Sequence, residues 1–306
     1  MISPYARQGY IDHKTYSFES WLRLIEERFG VMSMTARDSQ ANDMSDAFDF
    51  TQQPRSPILM NVNGTPYPPT AQTLVHNSGT LVATNSAYGT YALAPATIAS
   101  IYGSNLASST QQAQAFPLPV TLGGVAVSVT DASGGVFPAS LFYVSPNQVN
   151  WLVPSGVASG VATITLTSGT GTSTGTAIVG STAPGLYTAN LTGQGPSAAR
   201  ATDGQTYTNT FQCASAGNCT LVPIDVTTQP NLILYGTGIR GTGQSNVSVK
   251  IGNIAAPMIF AGAQGAYSGL DQVNVTLPAS LKGRGQLVVT ITASGKATNM
   301  GQLLFQ

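Results

Sequence analysis

The sequence predicts a mostly-β protein: two tandem β-sandwich domains preceded by a short α/β segment with one amphipathic helix. Three observations carry this. Gly 33 and Pro 18, in 306 residues, fall at the ends of short β-branched runs, the punctuation expected between strands of a sandwich. Four blocks of sequence recur in the same order in the second half of the chain, marking a duplicated unit. The charges are also segregated. Fourteen of the 24 lie in residues 1–55, and Asp131 is the only one between residues 56 and 199.

Composition excludes several function classes. Twelve basic residues balance twelve acidic ones, so there is no footprint for nucleic acid. Only 8% of the residues are charged, against about 25% in an average domain. Yet no run approaches the ~18 apolar residues of a membrane span. A hydrophobic content of 42% with no excess charge argues against disorder.

Residues 1–55 contain one convincing helix. Ser17 suits the N-cap, Glu19 places a negative charge in the first turn, and Gly30 follows the last turn. Phe18, Trp21, Leu22, Ile25 and Phe29 form an apolar face at spacings of three and four. So little else is available to cover that face that the segment reads as the last piece of a larger domain. Residues 56–80, rich in Pro, Asn, Gly and Thr, read as a linker, and His76 within them as a solvated residue.

From residue 81 the pattern is β. Runs at Thr97–Tyr102, Val125–Thr130, Leu141–Val144, Gln148–Val153 and Ala162–Thr167 are predicted strands; the last alternates cleanly, with its Thr face in water. Ser100-Ile-Tyr-Gly-Ser-Asn-Leu106 returns as Ile233-Leu-Tyr-Gly-Thr-Gly-Ile239, and Leu122-Gly-Gly-Val125 as Ile251-Gly-Asn-Ile254. Gln148-Val-Asn150 returns as Gln272-Val-Asn274, and Gly160–Thr167 as Gly285–Thr292. The first copy has nine more residues between the Tyr-Gly and Gln-Val-Asn blocks, most simply a longer loop. The expected domains are 81–182 and 183–306.

Residues 1–50 resemble the C-terminal end of the bacterial phosphoesterase family that includes phospholipases C and acid phosphatases. The resemblance rests on Ile2-Ser-Pro-Tyr-Ala6, Gly9-Tyr-Ile-Asp-His13, the 17–30 helix, Thr35-Ala-Arg-Asp38 and Asn42-Asp-Met-Ser-Asp-Ala-Phe-Asp-Phe50. It implies the end of an alkaline-phosphatase-like α/β domain. The metal ligands and nucleophile of such a domain precede the Ile-Ser-Pro-Tyr strand. A divalent metal is then expected for the missing catalytic core and no cofactor in this chain. A phosphate-ester substrate is expected only with the upstream domain present. Residues 81–306 resemble a C-terminal module of secreted bacterial proteins related to immunoglobulin-like IPT/TIG domains. This resemblance rests on Ala94–Ala107, Leu118–Val125, Tyr143–Asn150, Val153-Pro154 and their second copies.

Few residues invite a chemical role. His13, beside Asp12, is the one candidate acid, base or phosphate-positioning group, against a role near the helix start. Asp38, Asp43, Asp46 and Asp49 lack the glycine and terminal Glu of a calcium loop and read as a solvated turn. Asn147/Gln148/Asn150 and Asp271/Gln272/Asn274 would suit sugar hydroxyls, with Tyr102 or Trp151 to stack on a ring; as repeated features they equally suit holding loop backbone. Cys213 and Cys219 are either a disulfide formed in an oxidising compartment or two buried thiols. Met1–Arg7 shows no export signal, so an extracellular or periplasmic protein would carry that signal elsewhere. Three functions stay open: the C-terminal part of a secreted phosphoesterase, a glycan- or envelope-binding adhesion module, and a spacer.

Overall fold

The computed structural model describes residues 5, 7, 13–17, 19–29, 32–33, 35–49, 51 and 81–306, in two compact units, Met1–Pro69 and Thr70–Gln306. The expected linker 56–80 with His76, and the residues Phe18, Gly30 and Asp12, lie outside the described residues.

In the first unit α1 runs Glu19–Phe29 and α2 Ala36–Gln40. Ser17, two residues before α1, donates its amide to Ser20 Oγ at 3.0 Å. α2 is short but fully capped: Thr35 and Asp38 exchange side chain and backbone in a capping box. Arg7 N bonds Ala47 O and Asp49 N bonds Tyr5 O, both at 2.8 Å, so Tyr5 and Arg7 lie beside the 47–49 stretch. Three apolar residues that the sequence sets on one face of α1 stay in water. Trp21 is 51% exposed, Leu22 40% and Ile25 50%, while Glu26 is buried.

The described part of the second unit is β apart from three short 3-10 turns and contains two hydrophobic cores. The strands of the first are β1 (Ala83–Asn85), β2 (Ala92–Leu93), β3 (Ile98–Tyr102), β4 (Gln111–Gln112), β5 (Thr121–Leu122), β6 (Val125–Thr130), β7 (Val136–Val144), β8 (Gln148–Leu152), β9 (Gly160–Ser168) and β10 (Gly171–Val179). One sheet runs β1-β3-β8-β7, with β4 on the far side of β7; the other runs β7-β6-β9-β10-β2, with β5 beside β6. β7 belongs to both. Its first half pairs with β6 and its second half with β8, shifting register between Leu141 and Tyr143, where a bulge lets one strand turn between two layers. Between the layers lie Leu93, Ile101, Val127, Leu141, Trp151 and Ile164. The alternation read in β9 is present: Ala162, Ile164 and Leu166 point inward.

β7 begins five residues before the predicted Leu141–Val144, because Pro138 falls in its first half. That half is the edge of its sheet, where the missing N–H of proline costs no ladder bond. The nine extra residues of the first copy are therefore not a plain loop. Four of them precede the Gly123-Gly124 turn and five follow it, in the stretch that holds the β6–β7 hairpin, whose turn is held by Asp131: its carboxylate accepts the amides of Ser133, Gly135 and Ala158, each at 2.9 Å.

The second core lies among β11 (Gly185–Leu186), β12 (Ala199–Thr202), β13 (Tyr207–Asn209), β14 (Phe211–Ser215), β15 (Asn218–Leu221), β16 (Pro223–Ile224), β17 (Asn231–Thr237), β18 (Val247–Ile251), β19 (Ile254–Ala256), β20 (Met258–Ala263), β21 (Asp271–Thr276), β22 (Gly285–Ala293), β23 (Lys296–Ala297) and β24 (Gly301–Phe305). One sheet runs β13-β12-β17-β21-β20, with β11 on β17; the other runs β16-β24-β22-β18-β19, with β23 on β22. The hairpin β14–β15 stands apart. The repeated blocks pair alike, since β3 lies beside β8 as β17 lies beside β21. One difference is topological. β9 takes as its neighbour β6, the strand after the Gly123-Gly124 turn, whereas β22 takes β18, the strand before Gly252-Asn253. The reason is burial. The alternating inward β-branched residues follow the turn in the first copy (Val125, Val127, Val129) and precede it in the second (Val247, Val249, Ile251).

The two sandwiches meet at a built junction. Asn85, fully buried, donates through Nδ2 to Ala183 O at 2.8 Å and accepts Ala87 N through Oδ1 at 2.9 Å. Ile98 N donates to Thr237 Oγ1 at 2.9 Å, and that hydroxyl donates to Gly269 O at 2.8 Å. Ser86 and Tyr187 hydroxyls share a bond of 2.7 Å, and burial pushes the Tyr187 phenol up to about 12. Gly269, at φ 77°, sits where a Cβ would lie 2.5 Å from Ile98 and 2.7 Å from Leu152. Only glycine lets this loop come so close.

Candidate functional site

His13 is exposed, beside Lys14, whose ammonium pairs with Asp46 at 2.5 Å. The acidic string after it is engaged locally. Asp38 closes the capping box, Asp43 accepts the Ser45 hydroxyl at 2.9 Å, and Asp49 accepts the amide and hydroxyl of Thr51. Among the described residues no three of His, Cys, Asp and Glu stand close enough together to hold a metal ion.

The repeated amides form small networks on the sheet surface. Gln148 Nε2 donates to Asn150 Oδ1 at 2.8 Å, where Ser100 Oγ also donates at 2.9 Å, and Gln272 Nε2 donates to Asn274 Oδ1 at 2.9 Å. Asp271 differs, being fully buried. Its carboxylate takes the amides of Ile239 and Arg240 and an ion pair from the Arg240 guanidinium, while burial raises its pKa from the ordinary value. It holds loop backbone, the alternative read from the sequence. Trp151 cannot stack on a ligand: alternation along β8 turns it fully into the core, beside Val149 and Val153. Tyr102, at the exposed end of β3, stays accessible.

The hairpin β14–β15 places Cys213 opposite Cys219, and the two are joined by a disulfide with Cα atoms 4.0 Å apart.

Residues that the sequence did not single out line a cavity of about 440 Å³: the 192–195 turn with Tyr88, Val288, Asn299, Met300 and Gln302. The turn is held from behind. Asn299 Nδ2 donates to Gly193 O at 2.7 Å and to Leu186 O at 2.9 Å, its Oδ1 accepts Leu186 N at 2.8 Å, and Thr188 Oγ1 accepts Gly193 N at 3.0 Å. Gly193 has φ 75°, and a Cβ there would lie 2.5 Å from Tyr88 Cβ. No lining residue carries a formal charge, and Tyr88 is the one aromatic. The signal that would have found this turn is Thr192-Gly-Gln-Gly-Pro196, two glycines around one amide.

The Phosphoesterase family model matches residues 1–32. No curated protein matches this chain. Among solved structures, the chain is similar to SGBP-B of a Bacteroides ovatus mixed-linkage glucan utilization locus, in complex with a heptasaccharide. Identity is 16%, covering 71% of this chain and 43% of that one, with a TM-score of 0.29. SGBP-B of a Bacteroides uniformis xyloglucan utilization locus matches at 9% over 73% and 47%, TM-score 0.23. InvD of Yersinia pseudotuberculosis matches at 12% over 74% and 57%, TM-score 0.20. The chain thus spans about half the length of these structures, a likeness too slight to transfer what they bind. Among the described residues no helix is long and apolar enough to cross a membrane.

Proposed function

We propose that this chain is the C-terminal part of a secreted bacterial phosphoesterase, of phospholipase C or acid phosphatase type, carrying a non-catalytic arm of two immunoglobulin-like, IPT/TIG-related sandwiches in residues 81–306. The observation that carries the reading is the phosphoesterase match over residues 1–32. The exposed Trp21, Leu22 and Ile25 support it, since an apolar helix face is built to lie against a larger domain. Phosphoester hydrolysis by such a domain needs a nucleophile, metal-holding carboxylates or imidazoles, and cations on the phosphoryl oxygens. In this reading those groups, with their divalent metal, belong to sequence upstream of Met1. Secretion is supported by the Cys213–Cys219 bond, which persists in oxidising compartments.

The test is hydrolysis of p-nitrophenyl phosphate and its phosphocholine ester by the 306-residue chain, with and without divalent metal. The expected result is background turnover. Turnover abolished by His13→Ala would overturn the reading and make His13 a catalytic residue.

A further inference from the structure

We propose that the cavity lined by Tyr88 and the 192–195 turn is a binding site for a neutral carbohydrate. Four features of its chemistry converge. The lining is uncharged, so an anionic or cationic ligand would be desolvated there without a counter-charge. That separates the site from any phosphate-ester chemistry in the preceding unit. Gln194 and Gln302 line the cavity, and their side-chain amides make no hydrogen bond among the described residues. Each offers a donor and an acceptor, the complement of adjacent sugar hydroxyls. An apolar ligand would leave both amides unpaired.

Tyr88, Val288 and Met300 add apolar surface, with Met300 63% exposed, and this suits the C–H face of a sugar ring. The wall is also preformed. Asn299 spends its whole side-chain amide on Leu186 and Gly193, so the turn is already ordered before a ligand arrives, lowering the cost of binding. A volume of about 440 Å³ lies within the range of ligand pockets, roughly 300–1,000 Å³. Tyr88 comes from the first sandwich and the remaining walls from the second, so the site exists only while the junction holds.

The experiment uses the full 306-residue chain and a panel of neutral mono- to tetrasaccharides of the gluco-, galacto-, manno- and N-acetylglucosamine series. A glucuronate-containing oligosaccharide and phosphocholine serve as charged probes. Saturation-transfer NMR detects binding and titration calorimetry measures it. At least one neutral series is expected to bind with Kd of about 1 mM or tighter. Gln194→Ala and Gln302→Ala are each expected to weaken binding by about three- to tenfold, the worth of one or two hydrogen bonds, with melting temperatures unchanged. Gln194 is exposed, so its variant folds whatever the cavity does. No binding of any neutral saccharide at about 10 mM, affinity unaltered in both Gln variants, or equal affinity for the charged probes would each overturn the proposal.

Discussion

Asn85→Ala tests whether the two sandwiches form one locked body. The Asn85 side chain is fully buried and spans the junction, its Nδ2 on Ala183 O at 2.8 Å and its Oδ1 on Ala87 N at 2.9 Å. Truncation leaves one buried carbonyl and one buried amide without partners, at about 1–3 kcal/mol each, so the expected loss is about 2–6 kcal/mol. For a folded unit of this size each kcal/mol lowers Tm by about 2–4 °C, and a loss of about 3 kcal/mol therefore lowers it by about 6–12 °C. Urea denaturation and calorimetry of the full chain measure the loss. Asn85→Asp sharpens the test. It keeps the volume but turns an oxygen toward Ala183 O, so it is expected to be at least as harmful as Ala. A loss below about 0.5 kcal/mol for Ala, the size of an ordinary surface change, or wild-type stability for Asp, would refute a dry, hydrogen-bonded junction.

Three other outcomes follow from the described geometry. Asp131 has its carboxyl held down to about 2, chiefly by the Ala158 amide and then by the Ser133 hydroxyl. Its native pKa thus lies below its unfolded one, and its stabilisation is complete above about pH 5 and lost as pH falls from ~4 toward 2. Melting temperatures over that range should drop less steeply for Asp131→Asn than for the wild type; parallel curves would show that the turn does not depend on the ionised acid. Reducing the Cys213–Cys219 bond should cost about 2–3 kcal/mol for so short a loop. Thiol titration of the unfolded, unreduced protein should find no free sulfhydryl, and two would disprove the pairing. Asp271→Ala strands the Arg240 guanidinium and the Ile239 amide and should destabilise the second core by about 3 kcal/mol. A change within urea-titration error would mean that water replaces the carboxylate.

Much of the fold was legible because it is written in neighbouring residues. Inward alternation along Ala162–Leu166 and the glycines that turn the chain show themselves within windows of five to ten residues, since strand period and turn geometry are local properties. The charge break near residue 55 and the Tyr-Gly and Gln-Val-Asn repeats needed no coordinates either. The candidate site was not legible. Its walls come from Tyr88, the 192–195 turn, Val288, Asn299, Met300 and Gln302, uncharged positions that nothing in composition or motif sets apart.

The choice of β6 as neighbour of β9 but β18 as neighbour of β22 required the three-dimensional cores, because both sides of each glycine turn can pair and burial decides between them. The junction is the clearest case. Asn85 meets a carbonyl 98 residues away, and Ile98 a hydroxyl 139 residues away. Such contacts arise when whole sandwiches dock, and their selection rests on shape and on satisfying buried polar groups. Sequence period and composition set each sandwich by itself; only docking placed Tyr88 over Gly193 and so made a cavity between them.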